Sequence, residues 1–218
     1  MTVEFLWHER PKPARGPKPA LTLDRIADAA IAIADAEGLA AVSMQRVAAD
    51  LGYTKMSLYR YLPGKAELVA AMLERGIGVP PDLSGLEWRA ALRLWSETLL
   101  SRYFGHPWSL EASTGNRAIG PNELSWMECA LSVLPPGLNG SERMDAIATI
   151  AGHARAIAGQ RGGEEQMTAA MGLVLREHAD RFPAVAAALA DATAADQAFT
   201  FGLDRILDGL EVLLGRRV

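Results

Sequence analysis

Eight consecutive residues, Thr54-Lys55-Met56-Ser57-Leu58-Tyr59-Arg60-Tyr61, concentrate the side chains best suited to bond an anionic surface. Lys55, Ser57, Tyr59, Arg60 and Tyr61 put donors and rings around one apolar position, Leu58, and the stretch holds no acid. Long donors without a carboxylate suit a phosphate-lined groove, where cations and hydroxyls fix register and base edges are read. The stretch reads equally as a short solvated helix with two half-buried tyrosines, and spacing alone leaves both open. Enzymatic chemistry has less to stand on. Gly-x-Ser-x-Gly, Ser-x-x-Lys, His-Glu-x-x-His and a phosphate-cradling glycine loop do not occur. The single cysteine excludes a disulfide framework, and the four histidines are too scattered for a metal site, so neither metal nor cofactor is expected.

The elements that must position these side chains are helical. Alanine occupies 38 positions, aromatics make up 6% of the chain, and apolar residues recur three and four apart without β-branched alternation. An all-α protein is therefore expected. A first helix starts near Thr22, buries Ile26, Ala30, Ile33 and Ala34, and ends at Gly38; a second runs from Ser43 to Gly52. A third starts at Thr54 and stops at Pro63-Gly64, and a fourth spans Lys65 to about Arg75. Two short helices joined by Leu51-Gly52-Tyr53 have the spacing of a helix-turn-helix, over residues 43–62. Further helices are expected at 86–104, 121–134, 141–160 (capped by Ser141), 164–180, 184–191 and 195–215, with a short irregular or helical piece at 108–117. Gly76, Gly78, Pro80 and Pro81 mark the best domain boundary. The chain thus divides into an arm at 1–19, a helix-turn-helix domain at 20–76 and a larger helical domain at 77–218.

The net charge of −4 conceals an uneven distribution. Residues 1–65 carry nine basic and seven acidic side chains, residues 66–218 carry 13 and 19, and all four lysines lie in the first part. A nucleic-acid surface is confined to that first third. Arg10 to Pro19, with four prolines, reads as an extended, flexible basic arm. Its Lys12, Arg15 and Lys18 either keep a disordered leader soluble or lie along a duplex, where each phosphate neutralised steepens the salt dependence. No uncharged run is long enough to span a membrane and no apolar h-region precedes a small-residue cleavage site, so a cytoplasmic protein is expected.

Thr22 to Leu68 resembles the DNA-binding region of TetR-type transcriptional regulators. The matching residues are Ile26, Gly38-Leu39, Ser43-Met44-Gln45-Arg46-Val47-Ala48, Leu51-Gly52, Ser57-Leu58-Tyr59-Arg60-Tyr61 and Gly64-Lys65-Ala66-Glu67-Leu68, over 47 positions. The resemblance implies that Ser43 caps the second helix and meets phosphate, and that Gln45 reads a base. It implies that Thr54, Lys55, Met56 and Ser57 lead a recognition helix into the major groove, with Arg60 on the same helix. Tyr59 and Tyr61 then match phosphate-bonding hydroxyls, and Lys65 meets phosphate at the start of the fourth helix.

Residues 80–218 are similar to the C-terminal domain of the tetracycline-repressor-like branch, on His106-Pro107-Trp108, Gly120-Pro121-Asn122, Gly152-His153 and the stretch Phe201 to Leu210. This implies a ligand-binding and dimerisation domain. Trp95, Leu99 and Tyr103 on one helix face, with Trp108, Asn122, Trp126 and His153, mark either plain core or an effector pocket. His106 reads as a cap or loop contact. Ile147 and Ala151 with Leu203, Ile206, Leu210 and Leu214 are expected to form half of an intermolecular four-helix bundle, the alternative being packing within the chain. Asn116-Arg117-Ala118-Ile119 stands where that repressor has its magnesium-binding His-x-x-Thr, and Arg117 would repel a metal. Cys129 reads as a small buried apolar residue. Together these readings describe a ligand-responsive regulator: a homodimeric repressor on a palindromic double-stranded operator, released by a small hydrophobic effector. An activator or a regulator controlled by a protein partner would share the same DNA-binding face.

Overall fold

The computed structural model describes residues 4–7, 21–115, 117–191 and 197–217. Lys12, Arg15 and Lys18 therefore lie outside the described residues, as does Asn116. The helices are α1 (Glu4–Trp7), α2 (Leu23–Glu37), α3 (Met44–Asp50), α4 (Lys55–Tyr59), α5 (Lys65–Ile77), α6 (Trp88–Gly105), α7 (Trp108–Ala112), α8 (Pro121–Val133), α9 (Gly140–Gln160), α10 (Glu164–His178), α11 (Pro183–Ala190) and α12 (Ala198–Gly215). Among the described residues there is no strand, and no helix is long and apolar enough to cross a membrane.

Local chemistry sets these boundaries. Thr22, Ser43 and Thr54 each accept a backbone N–H three residues on, at 3.2, 3.1 and 3.3 Å, closing the first turns of α2, α3 and α4. The turn between α3 and α4 is a Schellman closure: Tyr53 N–H reaches Ala48 O at 2.8 Å and Gly52 N–H reaches Ala49 O at 3.1 Å. It requires the left-handed φ of +73° that Gly52 adopts, which a side chain would strain. The start of α9 departs from expectation. Asn139, not Ser141, is the cap, because Asn139 and Glu142 form a reciprocal capping box at 3.0 and 2.9 Å. The Arg217 guanidinium, with the Asn139 N–H, holds the Glu142 carboxyl down to about 2 and ties the chain's end to this turn.

Two apolar clusters organise the molecule. The first joins Ile26 and Ala30 of α2, Val47 of α3, Leu58 of α4 and Leu68 and Met72 of α5. The second joins Leu92, Trp95 and Leu99 of α6, Trp126 of α8, Ile150 of α9 and Leu203 and Leu207 of α12. Trp108 and Ala112 of α7 follow α6 in sequence yet pack into the first cluster, so α7 wedges the larger unit against the helix-turn-helix. The start of the expected flexible arm also differs: Glu4–Trp7 is a helical turn. Phe5 and Leu6 pack on the first cluster, and the Trp7 indole donates to Ile119 O at 3.1 Å. Apolar burial outweighs the charge pattern that suggested a loose leader.

Candidate nucleic-acid interface and effector cavity

α4 is only five residues long, too short to be helical by itself. It is held by Leu58, which is fully buried, by the Thr54 cap, and by its Schellman connection to α3. That anchoring turns Lys55, Met56 and Tyr59 outward, with Met56 71% exposed. The Lys55 ammonium lies 5.4 Å from the centre of the Tyr59 ring, a cation–π contact that holds the charge on the outer face. Arg60, Gln45, Ser43 and Lys65 are exposed as well. α4 carries no acid, so nothing on it repels a phosphate or neutralises Lys55 internally.

Other residues of this set are engaged differently. Thr54 and Ser57 bond to each other, Oγ1 to Oγ at 3.0 Å, so the leading edge of α4 is braced as well as presented. Tyr61 requires a correction. It lies beyond α4, and its hydroxyl donates to Leu21 O at 2.8 Å, which spends the phenolic proton on fastening the entrance of α2. That bond is structural, and a phosphate would have to compete with it. Arg46 is exposed beside Gln45, but its guanidinium pairs with Glu37 at 2.7 Å.

Between α5 of the helix-turn-helix unit and α6 and α7 of the larger unit lies an enclosed cavity of about 80 Å³, with Leu73, Gly76, Leu99, Tyr103 and Trp108 in its walls. Leu99, Tyr103 and Trp108 thus line one cavity. Burial pushes the Tyr103 hydroxyl up, which keeps it a neutral donor inside this wall. Arg117 closes one side and pairs bidentately with Glu123, its Nη2 2.5 Å from the carboxylate.

The remaining expected effector residues lie elsewhere. Trp95 and Trp126 are 3% and 2% exposed, pack edge to face at 5.7 Å, and donate to Trp126 O and Gly78 O at 3.0 and 2.9 Å. They are core, with every indole donor satisfied. Asn122 ties α8 to α5: its side chain donates to Glu74 O at 3.0 Å and its backbone N–H to the Glu74 carboxylate at 2.6 Å. Burial raises the Glu74 carboxyl, against the N–H groups of Asn122 and Glu123 that hold it down. His153 stacks on Phe199, ring centres 5.6 Å apart and 7° from parallel, with Nε2 2.8 Å from Phe199 O. It belongs to the contact between α9 and α12. There Gly202 leaves room that a Cβ could not share, 2.3 Å from the imidazole.

A second, open groove of about 500 Å³ runs along 81–86 and α8. Cys129 sits in its wall only half-buried, donating to Pro81 O at 3.4 Å, which corrects the expectation of a buried thiol; burial and then the Asp82 charge push its pKa up. Among the described residues no group of three His, Cys, Asp or Glu side chains could hold a metal ion.

The expected dimer residues contribute to the chain's own packing to different degrees. Ile147 and Leu203 are 5% and 0% exposed inside the chain's own second cluster, and Ala151, Ile206, Leu210 and Leu214 pack partly against it. The exposed apolar side chains are others. Met167, Leu173 and Val174 of α10 are 62%, 63% and 55% exposed, and Phe201 and Val212 of α12 are 64% and 53% exposed. Among its described residues α10 buries none.

Comparison with known proteins places this architecture. Residues 21–72 match the model of bacterial regulatory proteins of the tetR family, and residues 80–214 match the tetracyclin repressor-like C-terminal domain. Over 234 aligned residues the chain is 41% identical to the HTH-type transcriptional repressor DrrR1 of Streptomyces coeruleorubidus, covering 99% of this chain and 87% of that one. It superposes on apo ActR of Streptomyces coelicolor with a TM-score of 0.79 at 25% identity, covering 93% of this chain and 100% of that one. ActR in complex with actinorhodin gives 0.75 at 26% identity, covering 89% and 99%.

Proposed function

Because the chain belongs to the TetR family of bacterial regulatory proteins, we propose that it is a homodimeric repressor, released from a two-fold-symmetric operator by a small hydrophobic effector. The observation that carries the DNA contact is the acid-free outer face of α4, where Lys55, Met56 and Tyr59 stand exposed above a single buried anchor. Lys55 offers donors to the guanine acceptors, Met56 packs on a thymine methyl, and Gln45 pairs with adenine. Ser43, Tyr59, Arg60 and Lys65 meet phosphates, joined by the arm residues Lys12, Arg15 and Lys18. Thr54 and Ser57 keep α4 in shape while their remaining hydroxyl capacity faces the groove. Repression, in place of activation, is favoured by the likeness to a transcriptional repressor over nearly the whole chain.

The effector enters between α5, α6 and α7. A volume of about 80 Å³ is smaller than a typical ligand pocket of roughly 300–1,000 Å³, so binding must part these helices. α5 belongs to the DNA-binding core, so parting them moves the helix-turn-helix. The likeness to ActR, solved in complex with actinorhodin, supports a small-molecule ligand for this chain. Dimerisation rests on α10: a helix with no buried residue among those described has no core of its own, and helices of this length are marginal alone. A second copy covering α10 and the outer face of α12 supplies that core.

The DNA contact is tested by replacing Lys55 and Tyr59 together by alanine. Both side chains are exposed, so helicity should persist, while affinity for the selected duplex should fall about a hundredfold, from two contacts worth roughly 1–3 kcal/mol each. Titration by fluorescence anisotropy reads the loss, and unchanged affinity would move the interface away from α4.

A further inference from the structure

Asp35 lies near the end of α2, in the DNA-binding unit, but its hydrogen bonds come from the other unit. His106, which caps α6, places Nδ1 2.9 and 3.2 Å from the two carboxylate oxygens, and the Trp108 indole of α7 donates to Oδ1 at 2.7 Å. The two rings sit 5.7 Å apart, and both also line the enclosed cavity. The carboxylate is about a third exposed, and its bond to the Trp108 indole is partly buried. Two residues further on, Glu37 of the same helix holds Arg46 of α3.

We infer that Asp35 is the positioning residue through which the state of the cavity reaches the helix-turn-helix. The inference rests on the cavity being the effector site. A molecule that enters must displace the His106 ring or the Trp108 indole, which withdraws the donors that fix the end of α2. The helix is then free to shift, and α3 follows through Glu37 and Arg46. A carboxylate bonded by two donors from a neighbouring unit has two discrete arrangements, engaged and released, which is what coupling between sites needs. Asp28 on the same helix makes no such bridge; it pairs at 2.7 Å with Arg75 of α5, inside its own unit.

The fold supplies a wedge that replaces a ligand. Gly76 lines the cavity, and a Cβ there would lie 3.4 Å from the His106 ring and 3.6 Å from the Trp108 ring. A methyl at this place just touches both; a leucine pushes them. In the full-length chain, Asp35→Ala and Gly76→Leu should each weaken binding to a duplex selected by the wild type about tenfold, and the double variant should bind no worse than the weaker single, because both open one latch. Asp35→Asn, which keeps an acceptor for the indole, should fall between, as should Gly76→Ala. Losses that multiply in the double variant, or Gly76→Leu binding as wild type, would overturn the latch. Amide hydrogen exchange at the C-terminal turn of α2 reads it without DNA: it should quicken in Asp35→Ala and Gly76→Leu, and unchanged exchange in both would overturn it. Should the wild type select no duplex, the DNA-binding reading fails while the exchange result still decides the latch. Should Gly76→Leu not fold, the two conservative variants carry the same comparison.

Discussion

Replacing Leu58 by alanine should destabilise the helix-turn-helix by about 2–5 kcal/mol and remove DNA binding with it. Leu58 is the only buried residue of α4 and is fully enclosed among α2, α3 and α5 residues of the first cluster. A five-residue helix has no stability of its own, so the loss falls first on the element that must enter the groove. Urea unfolding should show the drop, and duplex affinity should fall further than the exposed double variant at Lys55 and Tyr59 makes it fall. The second cluster shares none of these contacts, so the emission of its buried tryptophans should unfold later. A loss under about 1 kcal/mol would mean that α4 is held by its caps instead of by its core.

Trp95→Ala should be the most damaging change in the larger unit, at about 3–5 kcal/mol. Trp95 is 3% exposed, packs edge to face on Trp126 and donates to its carbonyl across α6 and α8. Truncation leaves a cavity at the centre of the cluster that fixes α6, α8, α9 and α12. Denaturant midpoints measure it. Were Trp95 instead a wall of the effector site, the variant would keep its stability and lose only ligand response.

These two residues show where the sequence was informative. The helix-turn-helix was legible because its signals are local: caps at Thr22, Ser43 and Thr54, a glycine at positive φ in the turn between α3 and α4, and an apolar position ringed by donors. Most helix boundaries followed for the same reason, although the third helix closes at Tyr59 and the piece at 108–117 is helical only over Trp108–Ala112; the displaced cap, at Asn139, still obeys a local rule. Facing was not legible. Periodicity shows that Trp95, Trp126, Ile147 and Leu203 are apolar on one side of a helix, but not whether that side meets core, ligand or a second copy. The structure buries all four in the chain's own core. The polar residues that join the two units were missed altogether. Asp35 and Glu74 sit in charged helix faces that read as solvated, and their partners, His106, Trp108 and Asn122, lie 71, 73 and 48 residues further along. The Tyr61 contact was illegible for a related reason: its hydroxyl bonds the Leu21 carbonyl, forty residues back along the chain.

The central claim is that two copies of this chain read one DNA site through the outer face of α4. Selection of duplexes from a random pool by the full-length protein, followed by measurement of the bound stoichiometry, tests it most directly. The account predicts enrichment of an inverted repeat bound by two copies, each with a helix in successive major grooves on one side of the duplex. Enrichment of no sequence, or of an asymmetric site held by a single copy, would contradict it.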